Sequence, residues 1–235
     1  MPPGATREPY PSRRASRRAW LWGSLGMALV VAYCIGPLVQ PHVSLASVHD
    51  NLSAITRDWI LVAILAAIGF VGQKRSAEFF GLRVPGWRDV IAMLGVFVAS
   101  AVIGVLVTDI AVVHAALRRI SSPDFMKVPF DVRLALVLTA GICEEFIFRG
   151  FVIEQIGEWT GSLSLGAGIS LLFFVVPHAW LYGFTAGLAI PAVLGASLTL
   201  LYLWRRNLPV CMLMHAMMDG YSLLLVPALM RAHGT

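Results

Sequence analysis

Charge is scarce in this chain. Only 13% of its 235 residues are Asp, Glu, Lys or Arg, against about 25% in soluble domains. No polar stretch is long enough for a separate soluble domain of ordinary size, so the chain falls outside the ordinary soluble class. Cysteine is scarce as well. The only three, Cys34, Cys143 and Cys211, lie in apolar segments at unrelated spacings. Neither a disulfide framework nor a zinc-ribbon spacing can be built from them, and they are expected as small buried apolar side chains. There is no internal repeat and no low-complexity tract. What the chain has in quantity is apolar surface: 58% of it is hydrophobic, with a mean hydropathy of +0.77. A membrane span takes roughly 20 apolar residues. The predicted fold class is therefore all-α, a polytopic integral membrane bundle of about seven transmembrane helices. In lipid, function must come from polar groups placed between helices.

The net charge of +5 does not point to nucleic acid. Its densest part is Arg7, Arg13, Arg14, Arg17 and Arg18, directly before the first apolar segment, where a cytoplasmic anchor belongs. Ser16-Arg17-Arg18 faintly resembles a twin-arginine export signal. The apolar stretch after it is long for such a signal and has no convincing small-residue cleavage site. Apolar runs predict helices near 19–39, 58–73, 88–113, 132–156, 163–180, 184–204 and 208–230. Residues 1–18 are expected as an Arg-rich cytoplasmic tail, 19–230 as one transmembrane domain, and 231–235 as a short C-terminal tail. With the N-terminus in the cytoplasm, the tail, 74–88 and 205–206 place eleven Lys and Arg inside, against six outside. That imbalance predicts N-in and C-out, and the expected location is a bacterial plasma (inner) membrane.

Three late segments carry polar residues that a lipid anchor would avoid. The first is Glu144-Glu145-Phe-Ile-Phe-Arg149, the second Phe174-Val-Val-Pro-His178, the third His215-Ala-Met-Met-Asp219. A carboxylate at bilayer depth costs roughly 2.5–3.5 kcal/mol on insertion scales, so two of them in one span need partners. Each of the pairs Glu145/Arg149, Phe174/His178 and His215/Asp219 is spaced i,i+4 and lies along one helical face. Faces of that kind can converge on one inward cavity. There Glu144 suits a general base, and His178 a partner on the same water or a metal ligand. His215 and Asp219 suit an oxyanion site or the completion of a metal site. Glu145 and Arg149 suit a structural ion pair.

Plainer readings stand beside these. A single histidine in a membrane more often makes a helix–helix hydrogen bond than it catalyses. Met212, Met214, Met217 and Met218 read as packing rather than copper ligands, Phe173 and Phe174 as packing, and His42, His49, His114 and His233 as incidental. The combination on three separate helices is what raises the catalytic reading over the plainer ones.

At these residues the chain resembles the CAAX-protease and bacteriocin-processing intramembrane endopeptidases, also called the Abi family. The family pattern is Glu-Glu-x-x-x-Arg, then Phe-x-x-x-His, then His-x-x-x-Asn or Asp, and all three occur here once and in order. Phe80-Gly81-Leu82-Arg83 also looks like a short sequence common in that family. The resemblance covers a protease core of about 75–225. It implies an endopeptidase cutting a membrane-associated protein or peptide at or near the bilayer, with no nucleic-acid partner. Carried over, Glu144 and His178 prime the water, while His215 and Asp219 face the carbonyl oxygen. The family was long labelled metalloprotease, so a zinc site from Glu144, His178 and His215 stays open beside a metal-free glutamate mechanism. An ionised Asp219 has no N–H to donate, and the preferred reading has it orienting His215. Rival classes are a proton- or ion-coupled carrier using the same relay and a non-catalytic membrane scaffold.

Depth adds a tension. At 1.5 Å per residue Glu144 lies about 18 Å into the fourth helix, whereas His178 falls near the end of the fifth on the same membrane face. The fifth and sixth segments are thus expected to dip inward, or the fifth to continue beyond 180.

Overall fold

The computed structural model describes residues 17–39, 46–110 and 128–225, which are helices and short turns with no strand among them. Helix α1 spans Arg17–Val39. Helix α2 starts at Val48, ten residues before the expected 58, and runs through a π-helical last turn to Gly72. Ser47 sets that start, since its hydroxyl accepts from the Asp50 N–H at 3.2 Å, satisfying a donor the helix leaves orphaned. The first three turns hold Asp50, Asn51, Ser53, Arg57 and Asp58, and these polar residues hide the helix from a hydropathy reading. Helix α3 spans Trp87–Thr108, and the expected residues 111–113 lie outside the described ones. Helix α4 runs over 130–160 as Phe130–Thr139, two π-helical stretches at Ala140–Glu144 and Phe146–Ile153, and Glu154–Thr160. Helix α5 (Leu163–Val175) continues through tight turns to Tyr182, so the segment does extend beyond 180. Helix α6 is Ala189–Arg205 and α7 is Leu208–Gly220, the latter ending in a π-helical turn to Leu225. The expected helical residues 226–230, residues 1–16 of the tail expected over 1–18, and the tail expected over 231–235 lie outside the described residues, whereas Arg17 and Arg18 of the first tail already belong to α1.

The residues of α4 sit at the centre. Every residue from Phe146 to Ile153 is buried, and the aromatic core around them includes Phe80, Phe146, Phe148, Phe151 and Phe174. Long apolar side chains on α3, such as Ile91, Val98, Val102 and Leu106, are exposed instead. An apolar perimeter around a core with its own charged residues is what lipid as solvent selects. Among the described residues six helices are long and apolar enough to cross a membrane, and α4 runs between them.

One end of the bundle is tied by ions. Asp89, at the start of α3, accepts from Arg83 at 3.0 Å, Arg205 at 2.8 Å and Asn207 at 3.3 Å. Arg83 also donates to the carbonyls of Arg205 and Arg206. Gly81 has φ +73°, where a side chain is strained, and its carbonyl receives the Leu208 N–H at 2.8 Å. This is the work of the Phe80–Arg83 sequence: it splices the α2–α3 connection to the α6–α7 connection. At the same end Arg75 pairs with Glu158 and Arg206 with Glu154. Gln73 donates to Gln155 at 2.6 Å and to the Ala19 carbonyl at 3.1 Å.

Candidate active site

Successive residues on a helix diverge by about 100°, so Glu144 and Glu145 must meet different surroundings. Both lie in the stretch where α4 widens to π-helical turns, a local geometry that often marks functional positions. Glu144 faces a cavity of about 370 Å³ between α1, α2, α4 and α5. His178 lines the same cavity, as do Tyr33, Asn51, Arg57 and Asp58. One carboxylate oxygen of Glu144, Oε2, is buried with no hydrogen-bond partner. A buried acceptor left unpaired inside a protein is costly, and the Glu144 side chain as a whole stands on a cavity with room for a guest molecule.

His178 follows Pro177 in the tight turn that ends α5. Its Nδ1 lies 2.7 Å from the Phe174 carbonyl. A carbonyl only accepts, so Nδ1 carries the proton and Nε2 is left with a lone pair. The i,i+4 spacing of Phe174 and His178 therefore fixes a tautomer as well as a face. Further on, Gly183 has φ 60° and ψ 179°, a region open essentially to glycine alone. It turns the chain back towards α6 just past the cavity residues Trp180 and Leu181. Of the two expectations raised by the depth of Glu144, the structure bears on the second: the fifth segment continues to Tyr182, broken at Pro177 and turned at Gly183.

Glu145 turns the other way, into a fully buried cluster. Its Oε1 accepts from Arg149 Nη1 at 2.7 Å and from His215 Nδ1 at 2.8 Å. Arg149 also donates from Nη2 to the Gly195 carbonyl on α6 at 2.9 Å. The ion pair read from the sequence is thus one arm of a three-helix junction. Asp219 Oδ2 is 3.6 Å from His215 Nε2, too long for a hydrogen bond. The residue that fixes the His215 ring is Glu145, where the preferred sequence reading had Asp219. The Phe174 ring stands between the two groups, 5.0 Å from the His178 ring and 5.9 Å from that of His215, with the Arg149 guanidinium 4.6 Å over it. A side chain read as packing is the partition between the cavity and the buried cluster.

Glu144 and His178 share the cavity wall, while His215 and Asp219 do not line it. Glu144 is nevertheless within electrostatic range of His215, Asp219 and Glu145. Among the described residues no three His, Cys, Asp or Glu side chains are grouped to hold a metal ion. As placed, Glu144, His178 and His215 form no such group, although the Nδ1 bonds of the two histidines leave their Nε2 atoms, the ones a metal would use. The cysteines are unpaired and buried, as expected.

Sequence reasoning missed the α2 wall of the cavity. Asn51 and Asp58 are both buried and spaced i,i+7, one helical face. Arg57 donates from Nε and Nη2 to Asp58 Oδ1 at 3.2 and 3.1 Å, and its guanidinium stands 4.9 Å over the Tyr33 ring. The signal was present in Ser47 as a helix start and in the spacing of Asn51, Ala54 and Asp58.

Residues 129–221 match the family model described as type II CAAX prenyl endopeptidase Rce1-like. The match runs from the start of α4 into the last turn of α7 and holds all three motifs, so the resemblance read from them stands over this stretch, and the family is one of proteases. No curated protein and no solved structure matches the chain.

Proposed function

We propose that the chain is an integral membrane endopeptidase in which Glu144 and His178 activate water against a peptide bond of a membrane-associated protein or peptide. The observation that carries this is that Glu144 and His178, from two different motifs, line one cavity. The Glu144 carboxylate and the His178 ring both border one space, and His178 Nε2 is the ring nitrogen left to accept from a water there. In the reaction Glu144 takes a proton from water as the oxygen attacks the carbonyl carbon. The C–O bond forms, the carbonyl oxygen becomes an oxyanion, and the proton held on Glu144 passes to the amide nitrogen as the C–N bond breaks. His178, with its tautomer fixed by Phe174, accepts the second hydrogen bond of the water and so aims its lone pair. His215 takes the oxyanion side from behind Phe174, without direct contact, and Asp219 has no direct part in it. With Nδ1 anchored on Glu145, His215 acts on the cavity through its charge and Nε2, in a low-dielectric setting where such effects are strong.

The test compares peptide termini in membranes from cells making the parent protein or Glu144→Gln at matched levels. Termini seen only with the parent are expected, and they would name the substrate. Loss of a catalytic acid–base group should lower cleavage about 10²–10⁴-fold without lowering the amount of folded protein. Identical termini in the two would overturn the reading in favour of a carrier or scaffold.

A further inference from the structure

The two ends of the bundle differ sharply in surface charge. The ion-tied end collects the start of α1, the end of α2, the start of α3, the end of α4, the end of α6 and the start of α7. Its cations among the described residues are Arg17, Arg18, Lys74, Arg75, Arg83, Arg88, Arg205 and Arg206. The opposite end holds the cavity, whose lining comes from Gly36 and Pro37 late in α1, Asn51 and Ala54 early in α2, Leu136 early in α4, and Trp180 and Leu181 at the end of α5. The described cations of that end are Arg57 and Arg133, and each is engaged with a partner. Arg57 is paired to Asp58 on the cavity wall, and Arg133 is buried and donates to the Leu223 carbonyl at 3.0 Å. The sequence adds Arg7, Arg13 and Arg14 before α1, against Arg118, Arg119 and Lys127 between α3 and α4 and Arg231 after α7. Membrane proteins keep the end richer in Lys and Arg in the cytoplasm, and acidic partners at that end count for little.

We infer that the cavity opens to the non-cytoplasmic face of the membrane, so that the substrate is a polypeptide segment presented from that side, exported or anchored with its scissile bond outside the cytoplasm. The orientation stands on charge and geometry alone. The substrate half rests on the protease reading of the same cavity.

The test uses single cysteines at exposed positions in the full chain. Phe184→Cys and His49→Cys report the cavity end, Val84→Cys and Arg88→Cys the ion-tied end. Phe184 and Val84 are 78% and 90% exposed, and the native cysteines are buried, which keeps the background low. Intact cells or spheroplasts are treated with a membrane-impermeant maleimide, before and after permeabilisation. The cavity-end cysteines are expected to label as fully in intact cells as in permeabilised ones, and the other two only after permeabilisation. Labelling of Val84→Cys or Arg88→Cys in intact cells, or protection of both cavity-end cysteines there, overturns the inference. The same labelling in the Glu144→Gln background separates orientation from catalysis. The pattern is expected unchanged there, and it stands even where no cleaved termini are found. Where termini are found, cuts on cytoplasmic segments of the substrate would overturn the substrate half.

Discussion

Glu144 and Glu145 are neighbours in sequence with unrelated work, and the difference is one of surroundings. Glu144 lines a cavity, while the Oε1 of Glu145 serves Arg149 and His215 at once. Arg149→Ala should therefore act on stability first. It strips a buried carboxylate and the Gly195 carbonyl of their donor, and breaking a buried pair costs about 3–5 kcal/mol. Lower accumulation and a lower melting temperature in detergent are expected, with Arg149→Lys intermediate because an ammonium cannot make both bonds in the same fork. Asp219→Asn is expected to retain most cleavage, since the ring of His215 is held through Nδ1 by Glu145. Glu145→Gln should lose more, because it removes the charge that Arg149 and His215 share. The ratio of cleavage rates in the two variants checks this, and a larger loss in Asp219→Asn would restore the carboxylate as the orienting group.

At the scale of elements, α4 and the end of α5 are shaped for the site rather than for regularity. The π-helical turns of α4 end at Glu144 and resume just after Glu145, and the turn after α5 is closed by Gly183 at φ 60° and ψ 179°. Gly183→Ala should cost about 1–3 kcal/mol, the range for a residue forced into such backbone space. Because the strain sits five residues from His178, cleavage should fall further than stability. Thermal unfolding in detergent measured beside cleavage rate separates the two effects. The motif spacings were legible because i,i+4 pairs state a face without any knowledge of neighbours. The first half of α2 was not legible as a span, because Asp50, Asn51, Arg57 and Asp58 lower its hydropathy and their use is visible only once α1 and α4 stand beside them.

Across the whole molecule, one end is a set of ion pairs and the other is a cavity. Asp89 carries much of the tied end, accepting from Arg83, Arg205, Asn207 and the Gly86 N–H. Asp89→Ala should loosen the α2–α3 and α6–α7 connections together, and hydrogen exchange is expected to rise in 81–89 and 205–208. The loss, about 1–3 kcal/mol for stranded hydrogen-bonding groups, should leave the exchange of the 144–149 segment far less affected, since that segment is held by its own buried cluster.

The sequence by itself determined that the chain is a membrane helix bundle, where most helices lie, and which three motifs carry polar chemistry. Composition fixes the solvent, and spacing fixes the face of a helix on which a residue stands. Only the tertiary structure decided which of those faces meet. It put Glu144 and His178 on one cavity and drew His215 behind Phe174 to Glu145. It also brought Asn51, Arg57 and Asp58 to the opposite wall. The physical reason is that spacing is local, whereas a partner 34 to 86 residues away in the chain, as His178 and Asp58 are from Glu144, is set by how helices pack and where they break.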